Sequence, residues 1–199
     1  TAISPTVVVT AAHCIMPIPI NQLRVYLGDG FSGGAFTGEF EITKMTANPL
    51  YEMSGDRSFD VAYILLAKPL PLLASDYIPV LTDPTEIEEL IKVGKVARII
   101  GFGTREGGGF GEKYQVDTAI TALRPNEFKM GGGGQDSCQG DSGGPVYAQL
   151  ANGQWRVFGV VSRGGACGTG GLYGLIHKSI CWIQADSGVD LGLAVGTCH

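Results

Sequence analysis

Asp136-Ser137-Cys138-Gln139-Gly140-Asp141-Ser142-Gly143-Gly144-Pro145 is the stretch on which the reading of this chain turns. It combines a hydroxyl nucleophile, two carboxylates, a cysteine and three glycines. Glycines on both sides of Ser142 let the backbone turn tightly and leave its N–H groups bare. A nucleophilic oxygen would then stand beside donors aimed where negative charge develops, which is what acyl transfer requires. Outside this run the chain is rich in glycine, with 31 in 199 residues, an excess for a helical protein. It suits many short strands joined by tight turns.

Working outward, apolar segments recur with turn signals between them. They are Val7–Ala12, Leu23–Leu27, Phe40–Met45, Val61–Leu66, Val96–Gly101, Pro145–Gln149, Trp155–Val161 and Leu172–Ile176. Strands at this spacing predict an all-β barrel or sandwich rather than a parallel α/β sheet. The acidic stretch Thr82–Lys92 reads as a linker or short helix that divides the chain into roughly equal halves. His177–Ala185 is a second helix candidate, with Ile180 and Ile183 spaced for one face. Ser4-Pro5-Thr6 reads as a turn, and the strand after it begins so near Thr1 that it needs a partner, expected upstream.

Composition narrows the function. Hydrophobic residues make up 44% and charged residues 17%, the balance of a folded globular chain. A net charge of -5 and a pI near 5.1 exclude the basic profile of a nucleic-acid binder. No apolar run approaches the ~18 residues of a membrane helix. Cysteines at 14, 138, 167, 181 and 198 have no zinc spacing, so no metal site is expected and disulfides in an oxidising compartment are. Asp29, Glu39, Glu41 and Asp56 are too irregularly spaced for a calcium loop and read as solvated. Gly131–Gly134 lacks the Lys-Ser/Thr of a phosphate loop.

Ser142 needs a base, and the base an orienting acceptor. Of three histidines, His199 is terminal and His177 adjoins Lys178, whereas His13 closes the strand Val7–Ala12 at a barrel edge. Asp60 opens the apolar run Val61-Ala62-Tyr63-Ile64-Leu65-Leu66, where a half-buried carboxylate stays charged only through hydrogen bonds.

Together Thr10-Ala11-Ala12-His13-Cys14, Asp60-Val61-Ala62 and Gly140-Asp141-Ser142-Gly143-Gly144-Pro145 resemble the chymotrypsin-like, or trypsin, family of serine proteases, in the family's order His, Asp, Ser. The resemblance runs from Thr1 to about Ala185. It implies two antiparallel six-stranded-type β-barrels, the first incomplete, spanning 1–84 and 85–199, with a short C-terminal helix and the site between them. His13, Asp60 and Ser142 would be the triad, and the N–H groups of Gly140 and Ser142 the oxyanion hole. Asp136 would floor the specificity pocket and select Arg or Lys at the cleaved position. Ser137, Gln139, Ser162, Arg163, Gly164 and Gly171 would line the substrate groove, with Gly164 and Gly171 as small walls. Cys138–Cys167 would brace the pocket; Cys181 and Cys198 have no counterpart in the family and are expected to bridge the last helix to the C-terminal extension.

Two departures carry expectations of their own. Arg163 stands where the family usually has Trp, which predicts a more cationic groove and acidic or small residues upstream of the cut. Ala97 and Ala148 replace a disulfide pair common in relatives. Asp141 would form an activation ion pair with a processed N-terminus, and Cys14 would pair with an upstream cysteine, so this chain is expected to lack its N-terminal segment and full activity. The resemblance implies a secreted, monomeric zymogen acting on protein or peptide substrates, with protein inhibitors as candidate partners, and no cofactor. A non-catalytic homologue serving as a binding or regulatory module is the alternative.

Overall fold

A computed structural model describes residues 1–30, 36–54 and 57–198. Asp56, His199 and part of the Gly28–Gly38 loop lie outside them. The first half carries β1 (Val7–Thr10), α1 (Ala12–Ile15), β2 (Val25–Gly28), β3 (Phe36–Phe40), β4 (Ile42–Ala47), α2 (Pro49–Ser54) and β5 (Ala62–Leu66). The second carries α3 (Pro84–Leu90), β6 (Val96–Gly101), β7 (Tyr114–Leu123), β8 (Glu127–Met130), β9 (Pro145–Gln149), β10 (Trp155–Gly164), β11 (Gly171–Leu175) and α4 (Ile180–Ser187).

The fold is all-β. In the second half, six antiparallel strands close a barrel in the order β10-β11-β8-β7-β6-β9. In the first, β1-β5-β4 form one sheet and β2-β3 another. The outer edge of β1 is covered by the chain's own first residues. Ala2 bridges Val8, the Val9 N–H donates to the Thr1 carbonyl at 2.8 Å, and the Ile3 N–H to the Val7 carbonyl at 2.9 Å. Thr1–Ile3 thus fold back onto β1 through the Ser4-Pro5-Thr6 turn.

Three buried clusters organise the packing. The barrel core stacks Phe158 on Phe128 and Phe128 on Tyr173, with ring centroids 5.1 and 5.4 Å apart. Ile42, Ala62, Ile64 and Leu66 fill the first half. A third cluster joins the halves: Val7, Val9, Val61 and Tyr63 meet Val157, Val160, Ile176, Ile180 and Ile183. Ile180 and Ile183 thus bury the one apolar face of α4 against both halves. Each such side chain contributes about 1.5–3 kcal/mol when fully buried.

Helix α3 forms within the acidic stretch because its start is well capped. The Asp83 carboxylate accepts from the Thr85 and Glu86 N–H groups, with Pro84 in the first turn. Strand β3 falls largely within the segment read as the Gly28–Gly38 loop, and two more strands, β7 and β8, escape the sequence reading. The apolar residues of β7 and β8 alternate with Thr, Asp, Gln and Lys, so neither presents the unbroken apolar run that marks the others. The strand read as Val7–Ala12 ends at Thr10, and His13 sits instead on the single helical turn of α1.

Disulfides join Cys138 to Cys167 and Cys181 to Cys198, with Cα atoms 5.0 and 5.4 Å apart. The first closes a loop of sequence separation 29, for which chain entropy gives about 3–4 kcal/mol. Replacing both Cys138 and Cys167 by Ser is expected to lower the unfolding free energy by about 3 kcal/mol in urea titrations. A loss below about 1 kcal/mol would contradict it.

His177 lies in a 3-10 turn behind the barrel, and its Nδ1 is buried without a hydrogen-bond partner. Burial, and then the Lys178 charge, push its pKa down to about 4. The unfolded chain, with an ordinary histidine near 6.5, therefore takes up the proton first as pH falls. Stability is complete above about 6.5, declines through the window down to about 4, and levels off below it. The His177→Gln protein should lose about 2–3 kcal/mol less than the native chain between pH 7 and 4. Matched denaturant curves at the two pH values would refute this if the losses were equal.

Candidate active site

Asp60 is the centre of the site and is 2% exposed. It ends the loop before β5, where Val61 and Ala62 enter the core. Its Oδ1 accepts the His13 backbone N–H at 2.9 Å, while Oδ2 accepts from the Ser162 hydroxyl at 2.6 Å and lies 2.7 Å from His13 Nδ1. Burial pushes the Asp60 carboxyl up, but the bonds from the His13 ring, the Ser162 hydroxyl and the His13 N–H outweigh it and hold it below the usual carboxylate range. Sequence reasoning placed Ser162 only in the lining of the substrate groove. Its side-chain role had no signal in the sequence, because it depends on β10 passing beside the β5 loop.

The imidazole of His13 is a third exposed. The Asp60 hydrogen bond, then the Cys14 contact, push its pKa up to about 10 against the opposing effect of burial. In this arrangement it is an imidazolium at neutral pH. That is the state of a base after it has taken a proton; a working base needs a pKa near the operating pH. Nε2 faces Cys14 Sγ at 3.6 Å. Ser142 Oγ is exposed and has no hydrogen-bond partner among the described residues. Cys14 is the free cysteine.

The nucleophile loop is seated from both sides. Gly143, at φ +79°, passes so close to Thr10 Oγ1 that a Cβ could not fit. Its N–H donates to the Val161 carbonyl at 2.8 Å. Gly140 is also left-handed, at φ +93°, with Phe110 in the space a Cβ would take. Neither the Gly140 nor the Ser142 N–H donates to another group among the described residues.

His13, Asp60, Ser142, Ser137, Gln139, Ser162, Arg163 and Gly164 all border one cleft of about 280 Å³. Gly164 pairs with Gly171 across β10 and β11. The Ser137 hydroxyl lies 2.9 Å from the Tyr173 hydroxyl, whose pKa burial pushes up to about 12, so the barrel core anchors this segment. A larger cavity of about 720 Å³ lies on the other side of Cys138, and Asp136 and Asp141 border that one. Asp136 accepts the Gly168 and Gly170 N–H groups at 2.5 and 2.6 Å. Asp141 accepts the Gly103 and Cys138 N–H groups, each at 2.8 Å. The structure therefore gathers His13, Asp60 and Ser142 at one cleft and keeps Asp136 and Asp141 out of it. The larger cavity holds none of the triad candidates.

Arg163 is not a free cation in the groove. Its Nη2 is 2.7 Å from Glu127 Oε2, and Arg124 Nη1 is 2.7 Å from Glu127 Oε1. The Glu127 side chain is 4% exposed. Two arginines on one carboxylate leave one net positive charge. The carboxylates Asp29 and Glu39 are taken up by Lys113 and by Arg24, the latter at 2.9 Å.

The trypsin family's sequence profile matches residues 1–183, and the chain belongs to the trypsin family of serine proteases. It is 31% identical to phenoloxidase-activating factor 3 of Holotrichia diomphalia, over 92% of this chain and 62% of that protein. It is 26% identical to trypsin zeta of Drosophila melanogaster, over 90% of this chain and 70% of that protein. Glucanase inhibitor protein 3 of Phytophthora infestans is 30% identical, over 92% and 75%. The chain thus spans about three fifths of the first of these relatives and more of the other two.

Proposed function

We propose that this chain carries the catalytic unit of a secreted serine endopeptidase that cleaves peptide bonds after Arg or Lys. One observation carries the reading: a buried Asp60 takes hydrogen bonds from His13 and Ser162 at the cleft where Ser142 stands exposed. In the reaction, Ser142 Oγ attacks the scissile carbonyl while His13 Nε2 accepts the hydroxyl proton and Asp60 stabilises the imidazolium. The Gly140 and Ser142 N–H groups bind the oxyanion, which in comparable sites is worth about 3–4 kcal/mol per donor. The imidazolium then protonates the leaving amine, and water admitted by the same base frees the acid from Ser142. This scheme is the general one for such triads.

The described geometry is that of a resting state. For His13 to act, Nε2 must exchange Cys14 for Ser142, which also lowers its pKa toward neutrality. Asp141, now bonded to Gly103 and Cys138, would take the ammonium of a processed N-terminus in the larger cavity. Asp136 would then present its charge to the pocket between the Gly164 and Gly171 walls. Secretion and zymogen activation belong to this proposal.

The His13–Cys14 contact, with a relative named as an inhibitor, favours a second reading, a non-catalytic binding module. A biotinylated organophosphonate with an Arg side chain distinguishes them on the full-length, processed protein. Labelling mapped to Ser142 is expected. An unlabelled Ser142 would overturn the enzyme reading.

A further inference from the structure

The hydrogen bonds around Asp60 do not stop at Ser162. Ser162 Oγ, which donates to Asp60 Oδ2 at 2.6 Å, itself accepts from Arg163 Nη1 at 3.2 Å. The same Nη1 donates to the Arg57 carbonyl at 3.2 Å, from a residue held at φ 62°, a conformation uncommon outside glycine. At its other end the guanidinium meets Glu127 Oε2 at 2.7 Å. That contact is an ion pair without an aligned hydrogen bond, since Oε2 has no hydrogen-bond partner by angle. A continuous line of polar groups thus runs from the buried Glu127, through Arg163 and Ser162, to Asp60 and His13.

We propose that Arg163, held by the buried Glu127, is a positioning residue that sets the basicity of His13 through Ser162 and Asp60. This rests on the proposed role of His13 as the base. The physical reason is simple. A guanidinium donating to Ser162 polarises its O–H and strengthens its bond to Asp60, while the positive charge stabilises the carboxylate. Both effects weaken the hold of Asp60 on the imidazolium and bring the base toward the pH at which it must work. Glu127 supplies what a flexible arginine lacks, a fixed place. Arg has a planar fork that can grip Glu127 with one nitrogen and Ser162 with the other, a geometry that Lys cannot copy.

The other charged and titratable groups that face the His13–Asp60 pair, among the described residues, are Cys14 beside the ring, Tyr51 from α2 and Arg57 from the loop before Asp60. Burial, and then the Asp60 charge, push the Tyr51 phenol further above its ordinary range, so it keeps its proton at neutral pH. Arg57 is exposed and meets Arg163 through its carbonyl. Arg163 is the cation whose side chain bonds directly to a partner of Asp60.

The test is an NMR titration of the His13 ring nitrogens in the full-length, processed protein and its variants. Arg163→Gln removes the cation from a side chain that stays partly exposed, and should raise the His13 pKa by about one unit. The acid limb of kcat/KM should move up with it. In a Glu127→Gln background the same Arg163→Gln change should produce less than half that shift, because Arg163 is no longer held. If Glu127→Gln does not fold, Glu127→Asp, one methylene shorter and still anionic, replaces it in the cycle. A His13 pKa unmoved by Arg163→Gln would overturn the proposal, and an undiminished shift in both Glu127 backgrounds would overturn the part given to Glu127. The NMR readout needs no turnover. A protein that resists the phosphonate yet shows the shift would sink the protease reading and leave only the coupling of Arg163 to His13 standing, and labelling without the shift would keep the protease reading and sink the coupling.

Discussion

Replacing Ser142 by Ala in the full-length, processed protein should lower kcat on an Arg-containing peptide substrate by about 10⁶-fold. The side chain is exposed and makes no hydrogen bond among the described residues, so its loss costs the fold nothing. Circular dichroism should be unchanged, which separates a chemical effect from unfolding. On the proposed roles of the Gly140 and Ser142 N–H groups, which need no nucleophile, the residual rate should still exceed the uncatalysed rate by about 10³–10⁴-fold. Adding His13→Ala to Ser142→Ala should then change little, because a base without a nucleophile has nothing to activate. Two results would contradict the assignment: activity within about tenfold of the native protein, or independent, additive losses for the two substitutions.

What the sequence disclosed depended on how local each signal was. Val96–Gly101 and Pro145–Gln149 are strands with the bounds read from the apolar runs, since apolar residues occupy both faces even though full burial alternates along each strand. Strand β7 was illegible for the opposite reason. Its ten residues bury only one face, and Thr, Asp and Gln on the other dilute the pattern. The His13, Asp60 and Ser142 motifs could be read because each carries a short local requirement: a histidine beside small residues, a carboxylate ahead of a core strand, a serine between glycines.

The rest of the site is made by juxtaposition across long sequence distances. Ser162 lies 102 residues from Asp60, and Glu127 on β8 meets Arg163 on β10 over the strand between them, β11. No spacing rule announces such pairs. Arg163 is an instructive case. As a sequence feature it predicted a cationic groove, but a guanidinium beside a carboxylate that is 4% exposed spends much of its charge there. An arginine in place of an apolar aromatic could have prompted the search for a buried carboxylate partner. Which of the chain's acidic residues it was could not be known before β8 and β10 were placed.

Asp136 bears the other large expected effect. A cationic side chain entering a narrow pocket gives up its hydration, and only a counter-charge at the floor repays that cost. Asp136→Asn removes the charge and keeps one acceptor, for the Gly168 N–H now bonded to Oδ1, while the Gly170 N–H loses the Oδ2 to which it is now bonded. Its kcat/KM for Arg and Lys substrates should fall by about 10⁴-fold, the scale on which a built polar site rejects a mismatched partner. Turnover of a small apolar substrate should change by less than about tenfold, since the nucleophile and oxyanion donors are untouched. Asp136→Ser removes the acceptor too. It leaves both N–H groups unsatisfied, at about 1–3 kcal/mol each, so it should also unfold at lower denaturant. The pair of variants therefore separates selectivity from bracing. An Arg preference that survives Asp136→Asn would make the carboxylate a brace for the Gly168–Gly170 turn and nothing more. Selectivity lost in Asp136→Asn with stability kept would mean that activation turns Asp136 from those two N–H groups toward the pocket.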